Sequence, residues 1–143
     1  DKVLTSRAYT WVYNILWSDP IEDDGVDAGA VVGVHDSPRA SVGVTFGWDV
    51  TKTFCAKNGL GLVVRSHQSK RDGLGFDVMH DEMLIRVFSA RDYEGGGNDG
   101  AVLIIQEEDS IEHPGTKVLS VRPQVITSSH KQQVTPIPPT DDC

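Results

Sequence analysis

The sequence LGLVVRSHQSKRDGLGFDVMHDEMLIRVFS, residues 60–89, contains three apolar runs whose length and β-branched content are typical of strands. They cover residues 60–65, 74–80 and 83–89. The second and third runs are joined by Asp81 and Glu82, which predicts a hairpin-like connection. The middle of the chain is therefore expected to form a sheet.

Helical segments precede these strands. Apolar residues spaced by three and four predict a helix over residues 4–16 that ends near Trp17, because Pro20 follows closely. A second helix is predicted to end at Asn58, with Asp49 in its first turn and Gly59 at its C-terminal cap. Further strands are predicted at residues 41–46, 101–106 and 117–121. Together these elements indicate a mixed α/β fold.

The composition is that of an ordinary folded domain. The chain has 143 residues, 38% hydrophobic and 24% charged, with two cysteines and a net charge of −8. Its apolar runs are far shorter than the roughly 20 residues of a membrane-spanning helix, and two cysteines exclude a disulfide scaffold. The acidic balance argues against a nucleic-acid partner, since Lys and Arg dominate phosphate binding. A cytoplasmic or nuclear location is expected because no secretory signal is recognisable. The first residue is Asp1 rather than Met, so an upstream portion is expected.

Two segments are expected to lie outside the core. Residues 19–36 contain six acidic residues and no Lys or Arg, which predicts an acidic surface loop. The last 21 residues contain four of the seven prolines, a composition that buries little surface. We therefore predict a folded part over residues 1–122 and a flexible, Pro-rich tail over residues 123–143.

Four residues are candidates for chemistry. His67 follows the first strand, where α/β folds place binding groups, and a neutral imidazole there could ligate a metal; a surface histidine is the alternative. Tyr93 precedes a triple glycine and either leans over a site or covers the sheet edge. Asp19 is a turn residue or a buried carboxylate that needs Arg or backbone donors. Arg39 is either part of a site or one half of a weak surface ion pair. Five other cations are predicted to form a solvated surface, namely Lys52, Lys57, Arg65, Lys70 and Arg71.

Five motifs occur in a defined order along residues 11–107. They are LWSDP (16–20), FGWDVTKTF (46–54), VVRSHQ (63–68), VFSA (87–90) followed by Tyr93, and NDGA (98–101). In this order they resemble the C-terminal half of the phosphoprotein phosphatase family, the metal-dependent serine/threonine phosphatases. The tetratricopeptide-bearing and EF-hand-bearing branches of that family are the most similar.

The resemblance implies a four-layer α-β-β-α metallophosphatase sandwich, of which this chain supplies the C-terminal half. It implies that His67 ligates one of two divalent metal ions, manganese above all, with iron or zinc as alternatives. It also implies that Arg39 binds the substrate phosphate, that Tyr93 lies over the metal site, and that Asp19 lines and orders it. Such a site hydrolyses phosphoserine and phosphothreonine with a metal-activated water. The implied partners are phosphoprotein substrates and a regulatory subunit or domain.

The chain also departs from the family pattern. The upstream motifs Gly-Asp-x-His-Gly, Gly-Asp-x-Val-Asp-Arg-Gly and Gly-Asn-His-Glu, which supply most metal ligands, do not occur in it, so the chain alone is expected to be inactive. Ala40 and Ser41 follow Arg39 where the family has a single glycine, and the tyrosine loop contains Arg91 and Asp92 where the family has Pro-Asn. Two hypotheses follow. Either the complete protein is a phosphatase, or the chain is a non-catalytic, degenerate phosphatase fragment that acts as a protein interaction module.

Overall fold

The computed structural model of the protein describes residues 9–22, 31–39, 43–69 and 73–132. The helices are α1 (Thr10–Trp17), α2 (Trp48–Asn58) and α3 (Ser129–Gln132). The strands are β1 (Asp19–Pro20), β2 (Val34–Asp36), β3 (Val44–Phe46), β4 (Val63–Arg65), β5 (Phe76–Met79), β6 (Leu84–Val87), β7 (Gly100–Asp109) and β8 (Lys117–Ile126). This confirms the mixed α/β class.

The chain forms two compact units, residues 1–68 with 77–86, and residues 69–76 with 87–143. The first unit contains a sheet in which β3 pairs with β1 in parallel and with β2 antiparallel. Its second sheet has the order β4-β6-β5, with β4 parallel to β6; Phe76 and Val87, at the ends of β5 and β6, belong to the second unit. The second unit contains the antiparallel hairpin β7-β8.

Helix α2 has the boundaries that its sequence predicts. Its first turn carries Asp49, whose carboxylate accepts a hydrogen bond from the Gly33 amide at 2.8 Å. The helix ends at Gly59, which adopts φ 64°, and the Leu60 amide donates to the Cys55 carbonyl. Helix α1 ends at Trp17 as predicted, and the first part of that predicted helix, residues 4–8, lies outside the described residues.

The interior of the first unit combines apolar and polar side chains. Its buried apolar residues are Cys55, Met79, Leu84 and Ile85. His80 is fully buried beside them; its Nε2 donates to the Ile21 carbonyl at 2.8 Å and its Nδ1 is 2.8 Å from the Thr51 hydroxyl. Because both ring nitrogens of His80 have a partner, the interior tolerates this buried imidazole.

The predicted acidic loop over residues 19–36 is wrong in part. Both β1 and β2 fall within it, and β2 pairs with β3 over three residues, although all three β2 side chains are exposed. Backbone pairing to β3 holds β2 at the edge of the sheet, so the strand forms without an apolar pattern in its sequence.

The predicted tail begins too early at residue 123. Strand β8 extends to Ile126 and α3 follows, whereas residues 133–143 lie outside the described part of the chain. Pro123 lies opposite Leu103 in the hairpin. A proline is compatible with this strand because a two-stranded sheet has only edge strands.

Among the described residues, no helix is both long and apolar enough to cross a membrane.

Candidate functional site

Asp19 lies at the centre of a charged cluster in the first unit. It follows α1 directly, in β1, and only 5% of its surface is exposed. Its Oδ2 accepts a hydrogen bond from Arg39 Nε at 2.9 Å, and its Oδ1 accepts one from Arg65 Nη2 at 3.0 Å. Two cations therefore compensate the buried carboxylate. Asp19 is the buried carboxylate of the two alternatives, not a simple turn residue.

The prediction that Arg65 belongs to a solvated surface is wrong, because its side chain is largely buried. Its side chain is 12% exposed and also donates to the Ser18 carbonyl at 2.5 Å and to Gln68 Oε1 at 2.6 Å. Burial lowers the pKa of Arg65, and the neighbouring Asp19 carboxylate opposes this shift. Because the unperturbed pKa of arginine lies far above neutral pH, the side chain remains a cation. Arg65 thus supplies fixed positive charge inside the cluster.

Trp17 connects Arg39 to His67. The Arg39 guanidinium carbon lies 5.9 Å from the centre of the indole ring, within cation–π range. The His67 ring centre lies 4.8 Å from that of Trp17, with the ring planes at 84°, an edge-to-face contact. The structure therefore places Arg39 and His67 against one indole, with Asp19 bonded to Arg39.

His67 is exposed and has a strained backbone. Its φ of 85° lies in the left-handed region, which is unfavourable for a residue with a Cβ atom. Strain of this kind persists only where the surroundings impose it, and it concentrates at functional sites. The adjacent Gln68 is one such constraint, since its Oε1 accepts hydrogen bonds from Arg65 and, at 3.4 Å, from Arg86.

The described residues alone do not form a metal centre. Within residues 9–22, 31–39, 43–69 and 73–132, no three His, Cys, Asp or Glu side chains lie close enough to hold a metal ion. His67 is a single, accessible imidazole, which fits one ligand of such a centre. A two-metal centre needs further donors from outside these residues.

Tyr93 belongs to the second unit. It begins a single turn of 3₁₀ helix over Tyr93–Gly95, and its side chain is 46% exposed. Its ring packs edge-to-face on Phe88, with ring centres 5.3 Å apart. Its amide donates to Asn98 Oδ1 at 2.8 Å. The loop that carries Tyr93 is therefore an ordered structure with defined hydrogen bonds.

Two residues of the cluster, Trp17 and Arg65, were not predicted from the sequence as site residues. Both occur within the motifs, Trp17 two residues before Asp19 and Arg65 two residues before His67. Arg65 is the last residue of a predicted strand, and strand ends in α/β folds carry binding groups, which was the available signal for Arg65. No such signal marks Trp17, whose role depends on contacts with residues distant in sequence.

Comparisons with known proteins identify relatives among phosphatases. The chain is 42% identical over 91 residues to a probable serine/threonine-protein phosphatase of Encephalitozoon cuniculi, covering 64% of this chain and 18% of that protein. It is 36% identical over 116 residues to serine/threonine-protein phosphatase 5 of Solanum lycopersicum, covering 74% of this chain and 19% of the relative. The chain thus spans about one fifth of the length of these relatives. No family model matches it.

A solved structure is also similar. It is a protein serine/threonine phosphatase from Saccharomyces cerevisiae with similarity to human phosphatase PP5, and it matches with a TM-score of 0.51 and 27% identity. The match covers 75% of this chain and 32% of that one. Over about three quarters of its length, the chain is therefore homologous to part of the serine/threonine phosphatases of the phosphoprotein phosphatase family, as the order of its motifs predicted.

Proposed function

We propose that the complete protein hydrolyses phosphoserine and phosphothreonine in protein substrates, and that this chain supplies part of its active site. The observation that carries the proposal is that Arg39 and His67 both contact Trp17, while Asp19 bonds to Arg39. Asp19 and His67 each lie in a motif that resembles the phosphatase family, and Arg39 is the nearest match to the family's phosphate-binding arginine.

The geometry supports a phosphate-binding role for Arg39. Its Nε bonds to Asp19, and the structure gives its two terminal amino groups no acceptor among the described residues. The side chain is 38% exposed, so those amino groups are accessible. A guanidinium oriented through Nε presents its terminal amino groups as a planar fork, which matches two oxygens of a phosphoryl group.

His67 is proposed as one ligand of a two-metal centre whose other ligands come from the rest of the protein. When bound, two divalent metals, with manganese as the first choice, would supply an activated water and stabilise the negative charge on the phosphoryl oxygens. The residues of this chain have other roles. Asp19 orients Arg39, Trp17 contacts the ring of His67, and Tyr93 is proposed to contact the substrate. The chain alone is proposed to be inactive, and regulatory regions are proposed in the remainder of the protein.

The test is hydrolysis of a phosphoserine peptide by the full-length protein in manganese chloride. We expect His67→Ala and Arg39→Lys each to lower kcat/KM by about 100-fold or more, since each removes an interaction with the reacting group. His113→Ala is the matched control, because His113 is exposed in the β7-β8 turn, and it should keep the wild-type rate.

Two results would contradict the proposal. Wild-type hydrolysis that does not depend on a divalent metal would contradict the role of His67. A full-length protein without hydrolysis, at several metals and phosphopeptides, would favour the alternative, a non-catalytic phosphatase fragment that acts as an interaction module.

A further inference from the structure

The loop that carries Tyr93 is tied to a segment near the end of the described chain. The Tyr93 loop is residues 90–99, between β6 and β7, and the clamp segment is residues 127–131, which follow β8. Both belong to the second unit. The clamp segment engages an aspartate at each end of the loop, Asp92 near its start and Asp99 at its end.

Asp92 accepts three hydrogen bonds from two adjacent serines. Its Oδ2 accepts from the Ser129 hydroxyl at 2.6 Å and from the Ser129 amide at 3.0 Å, and its Oδ1 accepts from the Ser128 hydroxyl. The hydrogen bonds from Ser128 and Ser129 lower the pKa of Asp92 to about 2. Asp92 itself has φ 54°, a left-handed conformation that these bonds help to maintain.

Asp99 is tied to the same segment. Its Oδ1 accepts from the Ser128 amide at 2.7 Å, and its Oδ2 accepts from Lys131 Nζ at 3.1 Å. Ser128 is fully buried and Asp99 is 4% exposed. Ser128 therefore bonds to both aspartates, and the clamp segment closes the two ends of the loop around one buried residue.

Asn98 connects the two clamped ends of the loop to Tyr93. Its Oδ1 accepts from the Tyr93 amide, and its Nδ2 donates to the carbonyls of Ala90 and Asp99 at 2.8 and 2.9 Å. Its own carbonyl accepts from the Asp92 amide at 2.9 Å. Asn98 thus holds the Tyr93 backbone, and it is itself bonded to both ends of the loop, to Ala90 and Asp92 at the start and to Asp99 at the end.

We propose that Asp92 and Ser128 are positioning residues that hold Tyr93 in its working conformation, so that the clamp segment controls the tyrosine of the active site. The inference rests on the proposed function for the role of Tyr93. The sequence is consistent with it, because Asp92 stands where the family pattern has Asn. A carboxylate accepts on both oxygens, whereas an amide accepts on only one.

The first test is amide hydrogen exchange of this chain without metal or substrate. In Asp92→Asn, we expect the Asp92 and Tyr93 amides to exchange about tenfold faster or more, because the clamp loses charge-assisted bonds. Ser129→Ala, which keeps the Asp92 charge and removes one hydroxyl bond, should give a smaller acceleration in the same amides. Asp109→Asn, at an exposed position of the hairpin, is the control and should leave them unchanged. If neither Asp92→Asn nor Ser129→Ala accelerates these amides selectively, the clamp is contradicted.

The second test separates positioning from mere stability in the full-length protein. We expect Asp92→Asn to lower kcat/KM, and to have no further effect when Tyr93 is already Phe, because it acts through that side chain. Equal effects of Asp92→Asn in both backgrounds would overturn the inference. A wild-type protein without hydrolysis would contradict the proposed function, while hydrogen exchange would still decide whether the clamp exists.

Discussion

Arg65 in β4 lies directly opposite Arg86 in β6, its partner on the neighbouring parallel strand. Two like charges in this position repel each other unless acceptors separate them. Asp19 accepts from Arg65, and Arg86 donates to Asp77 and Glu22 at 2.7 Å each. Burial lowers the pKa of Arg86, but the hydrogen bonds to Asp77 and Glu22 outweigh it and raise the pKa above its usual value. The carboxylates of Asp19, Glu22 and Asp77 therefore compensate the two positive charges.

Gln68 Oε1 accepts a hydrogen bond from each of the two arginines, and substitution of Gln68 tests the cluster. Gln68→Met removes the shared acceptor at similar size and should lower the free energy of unfolding by about 1 to 2 kcal/mol. Gln68→Glu keeps the acceptor and adds a negative charge between two cations, so it should be at least as stable as wild type. Urea unfolding monitored by tryptophan fluorescence measures both variants. Equal destabilisation by Met and Glu would contradict the role of this oxygen.

Asp19→Asn should destabilise the first unit. The amide retains one acceptor but turns an NH₂ group toward one of the two guanidinium groups, so a buried charge loses its partner. We expect a loss of about 2 to 3 kcal/mol in the same urea assay, less than for a fully buried pair because Arg39 is partly exposed. Asp36→Asn, at an exposed position in β2, should change stability by less than about 0.5 kcal/mol. Similar values for the two variants would rule out a structural role for the Asp19 ion pairs.

Thr51→Val should also destabilise, because it removes the buried hydrogen bond between Thr51 and His80 while conserving shape. We expect a loss of about 1 to 2 kcal/mol. Thr53→Val on the exposed face of α2 is the matched control and should be nearly neutral. Thermal unfolding measures both substitutions. A Thr51→Val variant as stable as the Thr53→Val control would show that this bond contributes nothing.

Two glycines with similar φ values should respond differently to alanine. A Cβ at Gly75, with φ 80°, would lie 2.3 Å from the Gly100 carbonyl carbon, so its backbone neighbours must move. At Gly59, with φ 64°, a Cβ meets no atom within 4 Å. We expect Gly59→Ala to cost about 1 to 2 kcal/mol from the left-handed backbone alone, and Gly75→Ala to cost about 3 kcal/mol or more. Comparable unfolding free energies for the two variants would contradict the close approach at Gly75.

Lowering the pH should destabilise the second unit, because protonation of Asp92 weakens the hydrogen bonds that its carboxylate accepts. The pKa of Asp92 falls from 3.8 to about 2 on folding, so its contribution to stability is complete above pH 3.8 and disappears as the pH falls through about 2. Hydrogen bonds to Ser128 and Lys131 lower the pKa of Asp99 as well. The urea midpoint of the wild type should therefore decline mainly between about pH 4 and pH 2, and that of Asp92→Asn should decline less steeply. Parallel pH profiles would argue against the hydrogen bonds of Asp92.

The sequence correctly predicted the elements whose boundaries are set by residues a few positions away. Gly59 and Asp49 predicted the limits of α2, because caps and first-turn charges act within a few residues. Strand β2 and the second half of β8 were not anticipated. Both pair with strands whose positions are set elsewhere in the chain, and neither carries an apolar alternation of its own.

The amino-acid order alone was enough to establish the α/β class, the relationship to the phosphatases, and the candidates Asp19, Arg39, His67 and Tyr93, because motif spacing and strand ends are properties of the linear chain. The pairing of Asp19 with Arg65, the contact of Trp17 with His67, and the bonds between Asp92 and Ser128 required the folded molecule. These partners are 46, 50 and 36 positions apart, and no local propensity encodes a contact over such a separation. Strand pairing and burial in the folded chain bring these partners into contact.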